Sequence, residues 1–143
     1  MRAALRVRQV VNAVNLSTLL GLGLAKVAGA RLDNGPDGLV LATSARRRLL
    51  RASAYTVGNV VITTRPALDA RLLAHESRHA TQWAWCVVLF LPLYALAMLW
   101  SYAVTGDHFS RNWFERRAGL ADGHYVERAL RWRRRTDDAG QRG

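Results

Sequence analysis

Cysteine occurs once, at Cys86. A single thiol excludes an internal disulfide and any zinc site built on two or four cysteines. Cys86 lies in an apolar run and is predicted to be a small buried hydrophobe. Acid is scarce as well: ten Asp and Glu stand against 21 Lys and Arg, a net charge of +11. Only three residues are glutamate, namely Glu76, Glu115 and Glu127. Lysine is nearly missing, with Lys26 the sole example, so the cations are arginines. Such a balance selects anionic partners, a membrane surface or a nucleic acid. The basic residues flank apolar stretches and no nucleic-acid motif accompanies them, so an anionic membrane surface is favoured and nucleic acid is the weaker partner. Half of the residues are apolar, which excludes a disordered tail. A length of 143 residues fits one domain with a modest core.

What is present begins with Arg2, Arg6 and Arg8, followed by an apolar stretch from Val10 to Val27. Ala28-Gly29-Ala30 matches a cleavage site of a secretory signal. Asn12, Asn15 and Lys26 spoil the apolar block, so an amphipathic or membrane-lying arm over residues 1–32 is preferred to a signal peptide. Asp33 to Gly38 is dense in turn residues and separates this arm from the rest. Gly38 to Thr43 reads as a short strand. Arg46, Arg47, Arg48 and Arg51 form a cluster whose simplest reading is a solvated face, with lipid phosphate contact as the functional one. Ala54 to Thr64 is the best strand signal, β-branched and aromatic, and Gly58-Asn59 marks a bulge or a tight turn. One strand or a short hairpin would both fit. A strand there, beside a metal-binding helix, could take an extended peptide by strand addition.

Thr64-Arg65-Pro66 predicts the opening of a helix, with Thr64 as its cap. No Pro or Gly interrupts the run from Ala67 to Leu91. Within it stands His75-Glu76-Ser77-Arg78-His79, an H-E-x-x-H pattern. Residues four apart share a helix face, so His75 and His79 can offer two imidazole nitrogens to one metal ion. Glu76 is about 100° round the helix from His75 and could take a proton from water that the metal acidifies. With four His and three Glu in the chain, chance would give the pattern in about 0.2% of such sequences. Gln82, three residues after His79, reaches the same face and can orient a ligand or cap a polar patch.

Residues 84–104 carry no charge, long enough to cross a bilayer. Trp83, Trp85, Trp100 and Tyr102 sit near the ends, as interfacial anchors do. A straight span would place any ligand beyond residue 105 across the membrane from His75. If the site is completed downstream, the run must fold back near Leu91-Pro92 into an apolar helical hairpin. Gly106 is the expected helix stop. Ser110 is predicted to cap a helix over residues 111–120. Asp122, seven residues after Glu115, shares its face if that helix continues. Residues 126–135 read as a basic helix carrying Trp132, on a membrane surface or simply solvated.

Two histidines need a third protein ligand in a catalytic zinc site. Glu115, Asp107, His108, Asp122 and His124 are the candidates that the residues alone leave open. The H-E-x-x-H motif resembles that of zincin metallopeptidases. Asn112-Trp113-Phe114-Glu115 is similar to the N-x-x-E of the gluzincins, the thermolysin-like branch. The wider pattern H-E-x-x-H-x-x-Q, an apolar stretch, then N-x-F-E-x-x-A resembles small uncharacterised bacterial proteins with metallopeptidase-like cores. The resemblance covers residues 66–122. It implies one Zn²⁺ per chain held by His75, His79 and Glu115, with Glu76 as general base and a peptide or protein as substrate. Gln82, Asn112 and Asp122 would support the ligands. No H-x-x-G-x-x-H extension follows, which excludes a metzincin, and Gly119 stands where gluzincins carry an Asp after the ligand Glu. Asp122 or Asp107 could take that role. Tyr102, His108, His124 and Tyr125 are candidates to stabilise an oxyanion.

The expected fold is α+β and mainly helical. It has short N-terminal strands, a central H-E-x-x-H helix, an apolar helical hairpin and C-terminal helices, as in a minimal zincin-like core. The arm over residues 1–32 precedes one domain over 33–136, and 137–143 form a disordered tail. The expected function is that of a zinc-dependent metallopeptidase-like protein, bacterial, membrane-associated or cytoplasmic. The alternative is a membrane-associated binding or structural protein in which the motif is inactive or incidental.

Overall fold

The computed structural model describes residues 2–50 and 52–132. Arg51 of the basic cluster, Arg133 to Arg135 of the basic C-terminal stretch and the expected tail lie outside them. The fold is α+β and mainly helical, as the sequence predicts. Among the described residues five α-helices accompany one four-stranded sheet. Two compact units divide the chain, residues 1–90 and 91–143.

In the first unit the arm forms two helices, α1 (Arg2–Val14) and α2 (Ser17–Ala28). Strands β1 (Arg31–Asn34), β2 (Val40–Thr43), β3 (Ala54–Val57) and β4 (Val60–Thr63) follow. Helix α3 (Ala70–Cys86) comes next. The sheet order is β1-β2-β4-β3. β2 runs antiparallel to β1 and parallel to β4, and β3 runs antiparallel to β4. The turn predicted over Asp33 to Gly38 begins later than expected, because Asp33 and Asn34 belong to β1. Gly35 N–H closes that turn on the Leu39 carbonyl at 2.8 Å.

Every residue of β4 is buried. Alternation explains this, since a strand covered on both faces needs apolar side chains on each. Val60 and Ile62 pack with Ala25 and Ala28 of α2. Val61 points the other way, to Leu72 and Ala80 of α3. Helix α1 packs on α2 and α3. The hairpin reading of residues 54–64 is the one the structure adopts. Gly58 turns it with φ +62°, and a Cβ there would lie 2.4 Å from the Thr18 backbone nitrogen. Positive φ and backbone contact together require glycine.

Polar side chains on the inner side of α1 tie these layers together. Asn12 donates to Asn59 Oδ1 at 3.0 Å and to the Ala80 carbonyl at 2.8 Å. Arg8 donates to the Asp37 carbonyl at 2.6 Å and to Ser77 Oγ at 3.0 Å. Burial pushes the Arg8 guanidinium below its ordinary pKa, and the charge of Asp37 opposes that shift.

Helix α3 starts later than predicted. Its cap is Asp69, whose carboxylate accepts from Leu72 N–H at 2.9 Å, rather than Thr64. It also ends sooner. The break falls at Val87, with φ 51°, and the following 3₁₀ turn Val87–Leu89. Pro92 is therefore the third residue of α4 (Phe90–Thr105), inside a first turn that tolerates it, and does not make the break. No Gly or Pro marks that break, so its position was not readable. Cys86 is half-buried rather than buried.

In the second unit α4 ends at Thr105, and Gly106 N–H bonds the Tyr102 carbonyl at 2.8 Å. Asp107 Oδ1 accepts from the N–H groups of Phe109 and Ser110. Helix α5 is short, Trp113–Ala118, and Asn112 caps it in place of the expected Ser110. Ser110 Oγ instead accepts from Arg128 N–H at 2.6 Å. Glu127 pairs with Arg111 at 2.9 Å and Arg116 at 3.0 Å. These contacts pin residues 126–130 as irregular chain where a helix is predicted, and among the described residues of that stretch only Arg131 and Trp132 are helical.

Among the described residues no single helix is long and apolar enough to cross a membrane. Two broken pairs are, by length and composition: α1 with α2, bent by 72°, and α3 with α4.

Candidate metal centre

The first unit brings the two histidines of the motif together. His75 and His79 are 1% and 7% exposed. Their Nε2 atoms lie 3.0 Å apart, with the rings edge to face. Two nitrogens on one tetrahedral zinc at 2.0–2.1 Å would be about 3.3 Å apart. The pair therefore fits a shared ion after a shift of a few tenths of an ångström. The helix supplies this arrangement through the i, i+4 spacing alone.

Gln82 orients the second ring. Its Oε1 lies 2.8 Å from His79 Nδ1. An amide oxygen only accepts, so Nδ1 carries the proton and Nε2 presents its lone pair. This hydrogen bond fixes the plane of the His79 ring.

Glu76 is 3% exposed. Thr56 Oγ1 donates to its Oε2 at 2.6 Å. A buried carboxylate is costly unless hydrogen bonds hold it, and this one fixes its plane. Trp83 Nε1 donates to the Thr56 carbonyl at 2.8 Å, so β3 and α3 are pinned at one residue. Thr56 was missed in the sequence. Alternation along β3 could have found it, because Ala54 and Thr56 share the face towards α3 while Tyr55 packs on the other side. β3 is an edge strand. At Thr56 its carbonyl and hydroxyl are already engaged, so that carbonyl is not offered to an added peptide strand.

The second unit holds Glu115, 2% exposed. It is the third residue of α5, and Asn112 Oδ1 accepts from Phe114 N–H at 2.9 Å. Asn112 thus shapes the helix end that presents Glu115, and the N-x-x-E spacing is a cap with its third helical residue. Tyr94, on α4, donates its hydroxyl to Glu115 Oε1. Tyr94 was also missed, although it carries the only side-chain hydroxyl between residues 90 and 100. A hydroxyl set in an apolar run calls for a partner. His75, His79 and Glu115 are each buried and each carries a metal-ligand atom.

The other candidates have different local surroundings. Asp107 is spent on capping its own loop. His108 stacks on Tyr102 at 4.6 Å, and Tyr125 stacks on Phe109 at 4.5 Å. Asp122 lies in the turn after α5, which stops at Ala118, so the shared helical face predicted for it and Glu115 does not form. His124 is exposed, with φ 62°. No protein-family model, no curated protein and no solved structure matches the chain.

Proposed function

We propose that this protein is a zinc-dependent hydrolase acting on peptide bonds, with one metal ion held by His75, His79 and Glu115. The observation that carries the reading is the buried imidazole pair with its Nε2 atoms 3.0 Å apart and His79 oriented by Gln82. The resemblance of H-E-x-x-H-x-x-Q and N-x-F-E to zincins supports Glu115 as third ligand, as does its burial on a capped helix end.

When bound, such an ion supplies Lewis acidity that polarises a carbonyl and acidifies water. The protein's own groups do the rest. Glu76 accepts the proton of the attacking water and passes it to the leaving amine. Thr56 holds that carboxylate in place through its Oε2. Gln82 keeps the His79 proton on Nδ1. Tyr94 does the equivalent for Glu115 by donating to one carboxylate oxygen, which directs the other to serve as ligand atom.

Calorimetric zinc titration with a peptide-library cleavage assay tests the proposal. Glu115→Ala should weaken zinc binding strongly, and Glu76→Gln should keep the zinc and lose cleavage. Unchanged affinity in Glu115→Ala would remove the third ligand, and cleavage retained by Glu76→Gln would remove the base.

A further inference from the structure

Helices α1 and α2 each turn a row of large apolar side chains outward. On α2 the buried residues are small: Ser17, Gly21, Ala25 and Ala28. Leu22 and Leu24 are half-buried against the core, while Leu19, Leu20 and Val27 face outward, 64%, 49% and 57% exposed. At 100° per residue these three exposed side chains fall within one stripe of about 100°. Gly21 shows how closely the small side is fitted, because a Cβ there would come 2.4 Å from the Val57 carbonyl oxygen. On α1 the inner side is polar, with Arg8 and Asn12 at 4% and 0%, while Val7, Val10 and Val14 are exposed.

Water drives the opposite arrangement, large apolar side chains in and polar ones out. Small and polar residues inside with large apolar ones outside is how helices pack when the surroundings are hydrocarbon. Residues 1–32 contain no Asp or Glu, and their cations are Arg2, Arg6, Arg8, Lys26 and Arg31. Among these Arg6 and Lys26 are exposed on the two helices. That charge complements anionic headgroups beside an apolar stripe. In the second unit α4 repeats the pattern independently. Ser101 and Thr105 are buried, together with Val104, while Leu93, Leu96, Leu99 and Trp100 are exposed.

We infer that the outer faces of α1 and α2 lie among the acyl chains of an anionic bilayer. Helix α1 is about 20 Å long and α2 about 18 Å, each short of a hydrocarbon core of about 30 Å. The bent pair therefore lies in one leaflet, with Arg6 and Lys26 at the phosphates. This inference is independent of metal binding.

The test uses the full chain with vesicles of equal parts phosphatidylcholine and phosphatidylglycerol. Flotation should recover the wild type with the vesicles and keep it there in 1 M salt. Val10→Ser/Leu19→Ser/Leu20→Ser should lower the partition coefficient at least tenfold, with circular dichroism confirming that the exposed substitutions leave the fold intact. A nitroxide on Leu20→Cys in a Cys86→Ser background gives a second readout that needs no loss of apolar surface. With vesicles present, its collisions with oxygen should rise and those with a water-soluble nickel chelate should fall. Complete release by salt with no effect of the triple substitution would reduce the contact to surface charge and overturn the inference. A nitroxide shielded from both reagents in vesicle-free buffer, with the protein dimeric, would assign the stripe to a second copy and overturn it too.

Discussion

His79 is held from two sides, by Gln82 at Nδ1 and by His75 at Nε2. Replacing Gln82 by Ala removes the orienting acceptor but no ligand. The expected cost is about 10–100-fold in zinc affinity, read by competition with a chelator. His75→Ala should abolish tight binding altogether. Glu127 offers a different residue-level test, in pH. The Arg116 side chain, with the charge of Arg111, holds its carboxyl below the ordinary carboxylate pKa. A depressed folded pKa contributes stability that is present above the unfolded value and is lost as pH falls through the folded one. Glu127→Gln should therefore melt slightly below the wild type at pH 7, and the difference should vanish in strong acid. The gap should stay small, because the pair is solvent-exposed and screened. The pairing of His75 with His79 and the place of Gln82 beside them were legible because that arrangement depends only on helical spacing. Thr56 and Tyr94 were not, because each acts on a carboxylate 20 or 21 residues away through packing that no local pattern records.

Helix α2 shows what an element gains from small residues. Gly21→Val would force a side chain into the Val57 carbonyl and the Val60 side chain. Overpacking of this kind typically costs about 1–3 kcal/mol, and a backbone neighbour cannot move aside cheaply. Chemical denaturation should show that loss, while Gly23→Ala, with nothing within 4 Å, should not. At the start of α3, Asp69→Ala should cost about 1 kcal/mol through its cap alone. The hairpin of β3 and β4 was legible from β-branched residues around Gly58-Asn59. The start of α3 was misplaced because Thr64 and Asp69 both precede a helical run, and only the second has its carboxylate at Leu72 N–H. The break at Val87 carries no Gly or Pro signal, so Pro92 attracted a boundary that it does not make.

At the scale of the molecule, two compact units each hold part of the proposed site: the histidine pair and Glu76 in the first, Glu115 and Tyr94 in the second. The apolar arm of the sequence proves to be two helices of the first unit, α2 packed on the sheet and α1 turning Arg8 and Asn12 towards α3. Its polar interruptions, Asn12 above all, are the joints to the β3–β4 turn and α3. Composition showed that the chain is basic and apolar. It could not show that the large apolar residues face outward, because periodicity gives a stripe without saying which side is buried. The central claim is that the buried histidine pair is a metal site. The most direct measurement is the metal content of the purified protein by elemental mass spectrometry, beside His79→Ala. About one zinc per chain in the wild type, lost in the variant, is the predicted result. No metal in the wild type after zinc is offered at neutral pH would contradict it.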